Sequence, residues 1–101
     1  MSYYLLQAAY MADAVKDLMK DPQNHRNGAQ EAVVKLGGRL DGFWFAFGHY
    51  DAVAVCQMPD SVSASDLPMA VLGGGAVRFS KTTLLMTAEE AIEAMKKAER
   101  T

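Results

Sequence analysis

Phe43-Trp44-Phe45-Ala46-Phe47, Gly48-His49-Tyr50-Asp51 and Ala52-Val53-Ala54-Val55-Cys56 run consecutively through the middle of the chain. Two apolar, β-prone runs thus flank a short polar turn. Glycine accepts dihedrals that other residues avoid and aspartate bonds main-chain amides, so the spacing predicts a β-hairpin with a tight connection at Gly48–Asp51. The hairpin is expected from about Arg39 to Met58. Pro59-Asp60 closes it, because proline has no N–H to give to a ladder.

Upstream, Gly37-Gly38 supplies a left-handed stop for a helix whose apolar face is Ala29, Ala32, Val33 and Leu36. Asp21-Pro22 offers a cap and a first-turn proline for that helix, and separates it from a stretch, Met11 to Lys20, carrying Val15, Leu18 and Met19 at helical spacing. Tyr3 to Tyr10, free of Gly, Pro and charge, reads as the first and central strand. Downstream, a second crossover helix should begin near Asp60 or Ser61, with Leu67, Val71 and Leu72 as contacts and Ser63, Ser65 and Pro68 against it. Gly73-Gly74-Gly75 breaks the chain before a strand from Ala76 to Met86. Thr87 and Glu90 form a capping box, so Ala88 to Arg100 is expected as a terminal helix burying Ile92 and Met95, with Lys96, Lys97 and Arg100 at its negative end. The order is β-α-β-β-α-β, then α. It predicts an α+β, ferredoxin-like antiparallel sheet with its crossover helices on one face.

At 101 residues and a formal charge of −2, the chain (1–101) is expected to be one globular domain. Lys and Arg are scattered, without the basic stripe that a phosphate backbone requires, so no nucleic-acid partner is expected. The lone Cys56 has no partner for an intrachain disulfide, and the N-terminus shows no basic segment leading into an apolar run with a cleavage site. A reducing cytoplasm fits that pattern. No apolar run approaches the roughly 20 residues that span a bilayer, so neither membrane insertion nor a membrane partner is expected.

An antiparallel sheet with one wet face should alternate apolar and polar residues. In the hairpin Phe43, Phe45 and Phe47 share one face and Trp44 and Ala46 the other, while Val53 and Val55 oppose Ala52, Ala54, Cys56 and Met58, so both faces read as apolar. Each face would present roughly 400 Å² for four strands of about seven residues. Pairing two removes on the order of 800 Å² from water, an upper gain of roughly 20 kcal/mol against an association cost of about 4 to 15 kcal/mol. A homodimer packed sheet to sheet is the expectation. The alternative is that the terminal helix folds across the open face of its own sheet.

Candidate chemistry is sparse. His49 could act as a base or ligand, or be a solvated turn residue; Asp51 could pair with Arg78 or His49, or hold the turn through backbone amides. Tyr50 could line a pocket or simply pack. Arg26, beside His25 at a proline-capped helix start, suits an anion, and Arg78 interrupts an apolar strand, where a buried guanidinium would need Asp51 or an anionic ligand. Trp44 could line a cavity for a flat ligand or serve the interface. His25 and His49 lie far apart and Cys56 stands alone, so no metal spacing and no cofactor are expected. Gly73-Gly74-Gly75 lacks the lysine and hydroxyl of a phosphate loop, and the helix serines have no nearby histidine to make a nucleophile.

Pro22 with Arg26 before a helix ending in Gly37-Gly38, then Gly48-His49-Tyr50-Asp51, Pro59-Asp60, and Val77-Arg78 leading into Thr82-Thr83, together resemble the GYD-domain family of the dimeric α/β-barrel, ferredoxin-like group. Pro68 and the Phe79-Ser80-Lys81 stretch depart from the family pattern. The resemblance implies the fold and a dimer, and brings no established activity. Related dimeric α/β barrels include cofactor-free monooxygenases, haem-degrading enzymes, chlorite dismutase-like proteins and ligand-binding regulators. Two functions follow as expectations: a non-catalytic module binding a small molecule or a protein, or a cofactor-independent monooxygenase or isomerase using His49, Tyr50 and Asp51.

Overall fold

The structure, a computed structural model, describes residues 2–65, 75 and 77–99. The chain forms β1 (Ser2–Tyr10), α1 (Ala12–Lys20), α2 (Pro22–Lys35), β2 (Arg39–Phe45) and β3 (Ala52–Met58). A helical segment, α3, is described over 61–65, followed by β4 (Val77–Leu85) and α4 (Ala88–Glu99). The four strands make one sheet in the order β2-β3-β1-β4, every pair antiparallel. This is the ferredoxin-like α+β arrangement, with β1 central as its composition suggested. The rest of the expected second crossover helix, with Leu67, Pro68, Val71 and Leu72, and the connector residues Gly73 and Gly74 lie outside the described residues.

Local chemistry accounts for the elements. Asp21 accepts a bond from Asn24 N at 3.1 Å and Pro22 opens α2, so the chain between β1 and β2 is two helices, as the proline requires. At the far end Gly37 takes φ 85°, and Gly37 N and Gly38 N bond Val34 O and Val33 O at 3.0 and 2.9 Å. The capping box forms in both directions, Glu90 N to Thr87 Oγ1 at 3.1 Å and Thr87 N to Glu90 Oε1 at 3.2 Å.

One sheet face carries the core. Tyr4, Cys56 and Met58 pack with Val33 of α2 and Ala64 of α3, and Leu6, Ala32, Leu36 and Leu40 close around them. Val33 and Ala64 in one cluster put α2 and the start of α3 on the same side of the sheet. By register, the opposite face holds Arg39, Gln57, Tyr3 and Leu85 in one row, Val55, Leu5 and Thr83 in the next, and Trp44, Val53, Gln7 and Lys81 in the third. We call it the open face. Its centre is apolar and its margin polar, whereas the hairpin alone suggested an apolar face throughout. The difference comes from Arg39 and Gln57 at the open end of the hairpin and from β1 and β4, which contribute Gln7, Lys81 and Thr83.

Four further expectations are corrected. The hairpin connection is a loop over 46–51, because β2 ends at Phe45; Phe47 has left the strand and is fully exposed. Met19 of α1 is 79% exposed, since α1 buries only Ala14. Arg78 is an exposed residue at an irregularity where β1–β4 register shifts between Ala9 and Tyr10, so it interrupts no buried strand. Ile92 and Met95 are exposed, and α4 buries none of its residues. That helix therefore does not fold across the open face, where Trp44 stays 56% exposed.

Candidate functional site

The loop over 46–51 is built from the strands upward. Ala46 N donates to Asp51 O at 2.8 Å, which closes the loop, and Asp51 N donates to Ala8 O at 2.8 Å, which ties it to β1. The register shift at Ala9/Tyr10 takes Tyr10 N–H out of the regular ladder, and the Asp51 carboxylate accepts it through Oδ2 at 2.8 Å. Asp51 therefore holds the end of β1. The local backbone bond expected of it is replaced by one across 41 positions, and it pairs with neither Arg78 nor His49.

Two aromatic pairs border this end of the sheet. Tyr10 and His25 of α2 have ring centroids 5.6 Å apart, and Tyr50 meets Phe79 edge-on at 5.5 Å. The Arg78 guanidinium carbon sits 4.9 Å over the Phe79 ring. Burial, and then the nearby Asp51 charge, push the Tyr10 phenol above its ordinary value. Burial likewise raises the Cys56 thiol, which makes it a core group and a poor nucleophile.

The anticipated residues fall into separate places. Tyr50 and Arg78 come together around Phe79; Asp51 lies beside them as a structural tie. His49 is exposed and makes no hydrogen bond or ion pair among the described residues. Arg26 is exposed on α2. Trp44 lies on edge strand β2 of the open face, about three strand spacings (~14 Å) from β4. Its ring rests over Gly42, where any Cβ would collide with the indole carbons. Tyr10 and Phe79 were missed in the sequence because nothing local marks a strand-end tyrosine as a partner of a helix histidine. No group of three or more potential metal-ligating His, Cys, Asp or Glu side chains occurs among the described residues, and none of their helices is long and apolar enough to cross a membrane.

Removing the Asp51 carboxylate tests its role. Asp51→Ala strands the part-buried Tyr10 N–H and should cost about 1–3 kcal/mol, read as a lower denaturant midpoint. An unchanged midpoint would show that water replaces the carboxylate.

At the opposite corner of the open face Arg39 Nε donates to Asp41 Oδ1 at 2.8 Å and Gln57 Nε2 to Oδ2 at 3.1 Å. These bonds, Arg39's first, hold the Asp41 carboxyl below its ordinary range, and the Ser63 N–H does the same for Asp60 at the start of α3. Both shifts favour the ionised form in the folded state. Their contribution is present above the unfolded carboxylate value near pH 4 and is lost as pH falls through the lower folded values. Melting temperature should therefore drop below about pH 4, and Asp41→Asn with Asp60→Asn should flatten that drop. Equal slopes in variant and parent would contradict the assignment.

Residues 4–95 match the GYD domain family. No curated protein matches the chain. Among solved structures, MtbAldR (Rv2779c) superposes with a TM-score of 0.64 at 14% identity, over 85% of this chain and 53% of its own. TTHA0845 from Thermus thermophilus gives 0.58 at 19% identity over 87% of this chain and 96% of that one. The hypothetical protein PHS023 from Pyrococcus horikoshii gives 0.56 at 9% identity, over 86% and 92%. The chain thus spans about half the length of MtbAldR, and likeness at these identities is a likeness of fold. With the family match running from β1 into α4 through the hairpin loop and its Asp51 tie, the chain belongs to the GYD domain family.

Proposed function

We propose that this chain is a homodimeric, non-catalytic module of the cytoplasm that needs no cofactor and binds a small anionic molecule. The observation that carries the reading is the open face: Leu5, Val53 and Val55 form a half-buried apolar centre that the exposed Trp44 extends to the β2 edge, with Gln7, Lys81, Arg39 and Gln57 around it. An apolar centre within a polar rim is how a protein–protein interface is organised, and an identical second face satisfies it about a two-fold axis. The polar groups support binding over turnover, because Asp51 is engaged by Tyr10 N–H and His49 is exposed to solvent.

For a ligand, Tyr50, Phe79 and Arg78 are the best-formed group. The Phe79 ring steadies one face of the guanidinium, whose N–H groups can then fork onto a carboxylate. Native mass spectrometry of gently purified protein should show a dimer with retained small-molecule mass, and Arg78→Ala a dimer without it. A bare parental dimer would turn the reading towards a protein partner.

A second reading, a cofactor-independent monooxygenase or isomerase, rests on the Tyr10–His25 pair beside Asp51. A monooxygenase predicts that a retained molecule gains one oxygen atom on aerobic incubation, an isomerase that it keeps its mass and changes its chromatographic retention, and His25→Phe should stop either change.

A further inference from the structure

The terminal helix has an apolar stripe that the described residues leave uncovered. Ala88, Ala91, Ile92 and Met95 recur at i, i+3, i+4 and i+7 along α4, yet the helix buries none of its residues; Ile92 is 52% and Met95 67% exposed. The radius of gyration, 15.2 Å, exceeds the roughly 13 Å of a compact chain this long, in keeping with a helix that stands off the sheet. A helix of 12 residues without tertiary packing is marginal in water, so a stable α4 needs a surface from elsewhere.

We infer that α4 pairs antiparallel with α4 of a second copy, on the two-fold axis of the sheet-paired dimer; this rests on the dimer reading above. Charge complementarity selects the partner and the direction. Acidic Glu89, Glu90 and Glu93 occupy the first half of the helix and basic Lys96 and Lys97 the second, before Glu99 ends it, and Glu89 and Lys96 lie on the same flank of the stripe. In an antiparallel pair the same flank of each helix meets, so Glu89 of one copy faces Lys96 of the other. A parallel pair would set acids against acids and bases against bases. Along the stripe the antiparallel register places Met95 opposite Ala91, large against small, with Ile92 close to the axis.

Area supports the same occupant. Sheet pairing alone removes about 800 Å², at the weak, small end of specific interfaces, while the standard stable class begins near ~1,200 Å². Each α4 is about 18 Å long, and a stripe ~10 Å wide adds ~360 Å² over two copies. The sum reaches about 1,200 Å², the lower edge of the stable class.

Cysteine cross-linking of the full-length protein tests the pairing. Under mild oxidation Ile92→Cys should form a disulfide-linked dimer through its position near the axis, whereas Lys97→Cys, on the far side of the helix, and the parent with its buried Cys56 should not. Ile92→Lys with Met95→Lys should raise the dimer dissociation constant at least ~100-fold while the circular dichroism of the sheet is kept, since neither side chain belongs to the core. A dimer in which Ile92→Cys fails to link, links no faster than Lys97→Cys, or in which the double-lysine variant binds as before, overturns the helix pairing and leaves the sheet dimer standing. A parent that is monomeric overturns the sheet reading itself.

Discussion

Val53→Asp is expected to turn the proposed sheet-paired dimer into a folded monomer. Val53 lies in the third row of the open face, between Trp44 and Gln7, and faces away from the cluster of Tyr4, Val33, Cys56 and Met58. The fold should therefore survive, at a cost of about 1 kcal/mol for aspartate in a strand. Association should not. Sheet pairing has an upper gain of roughly 20 kcal/mol, of which about 4 to 15 kcal/mol is lost to association itself. A two-fold interface would then hold two carboxylates with no designed partner, each costing several kcal/mol to take out of water. Together they are comparable with the surplus of about 5 to 16 kcal/mol that is left. Light scattering on a sizing column should report half the parental mass at micromolar concentration, with an unchanged far-ultraviolet spectrum; a Val53→Asp dimer would place the interface elsewhere.

Gly38→Ala should be the most damaging glycine-to-alanine change among the described residues. A Cβ there would stand 2.5 Å from Gln57 O and 3.1 Å from Val33 Cγ1, and would collide with Met58 Sδ. Met58 and Val33 could shift only by opening the core, and Gln57 belongs to the Arg39–Gln57 rung that starts the β2–β3 pairing. Overpacking against backbone leaves no inexpensive relaxation, so about 3 kcal/mol is expected, or ~12–20 °C in melting temperature for a chain of this size. Gly28→Ala supplies the opposite sign. Nothing lies within 4 Å of a Cβ at Gly28 in α2, and the substitution should stabilise by up to ~1 kcal/mol through helix propensity. Equal melting temperatures for the two variants would contradict the packing at Gly38.

What the sequence made legible is what short-range chemistry determines. Asp21-Pro22, Gly37-Gly38 and the Thr87/Glu90 box mark helix ends with groups that bond within four residues, and each stands where its chemistry put it. The unbroken apolar run of β1 likewise announced a central strand. The connection over 46–51 was misjudged because its anchoring depends on Asp51 N reaching Ala8 O, a bond to a strand more than 40 positions away. Asp51's carboxylate was invisible for the same reason, since Tyr10 N–H becomes available only through the β1–β4 register shift. That shift also moved Arg78 out of the strand interior, which is where the Phe79-Ser80-Lys81 departure from the family pattern lies. Ile92 and Met95 show a different limit: an apolar stripe at helical spacing says that a face seeks cover, and not which chain provides it.

The open face contains the protein's one tryptophan, and that makes the central claim directly measurable. Trp44 is 56% exposed in a single chain and sits on the surface proposed to pair. Its fluorescence, followed through serial dilution with acrylamide quenching, should be blue-shifted and protected at high concentration. It should move to the red and become quenchable as the measured mass falls from twice 11.0 kDa to 11.0 kDa. Red-shifted, freely quenched emission at every concentration would mean that the open face stays in water and would contradict the sheet-paired dimer.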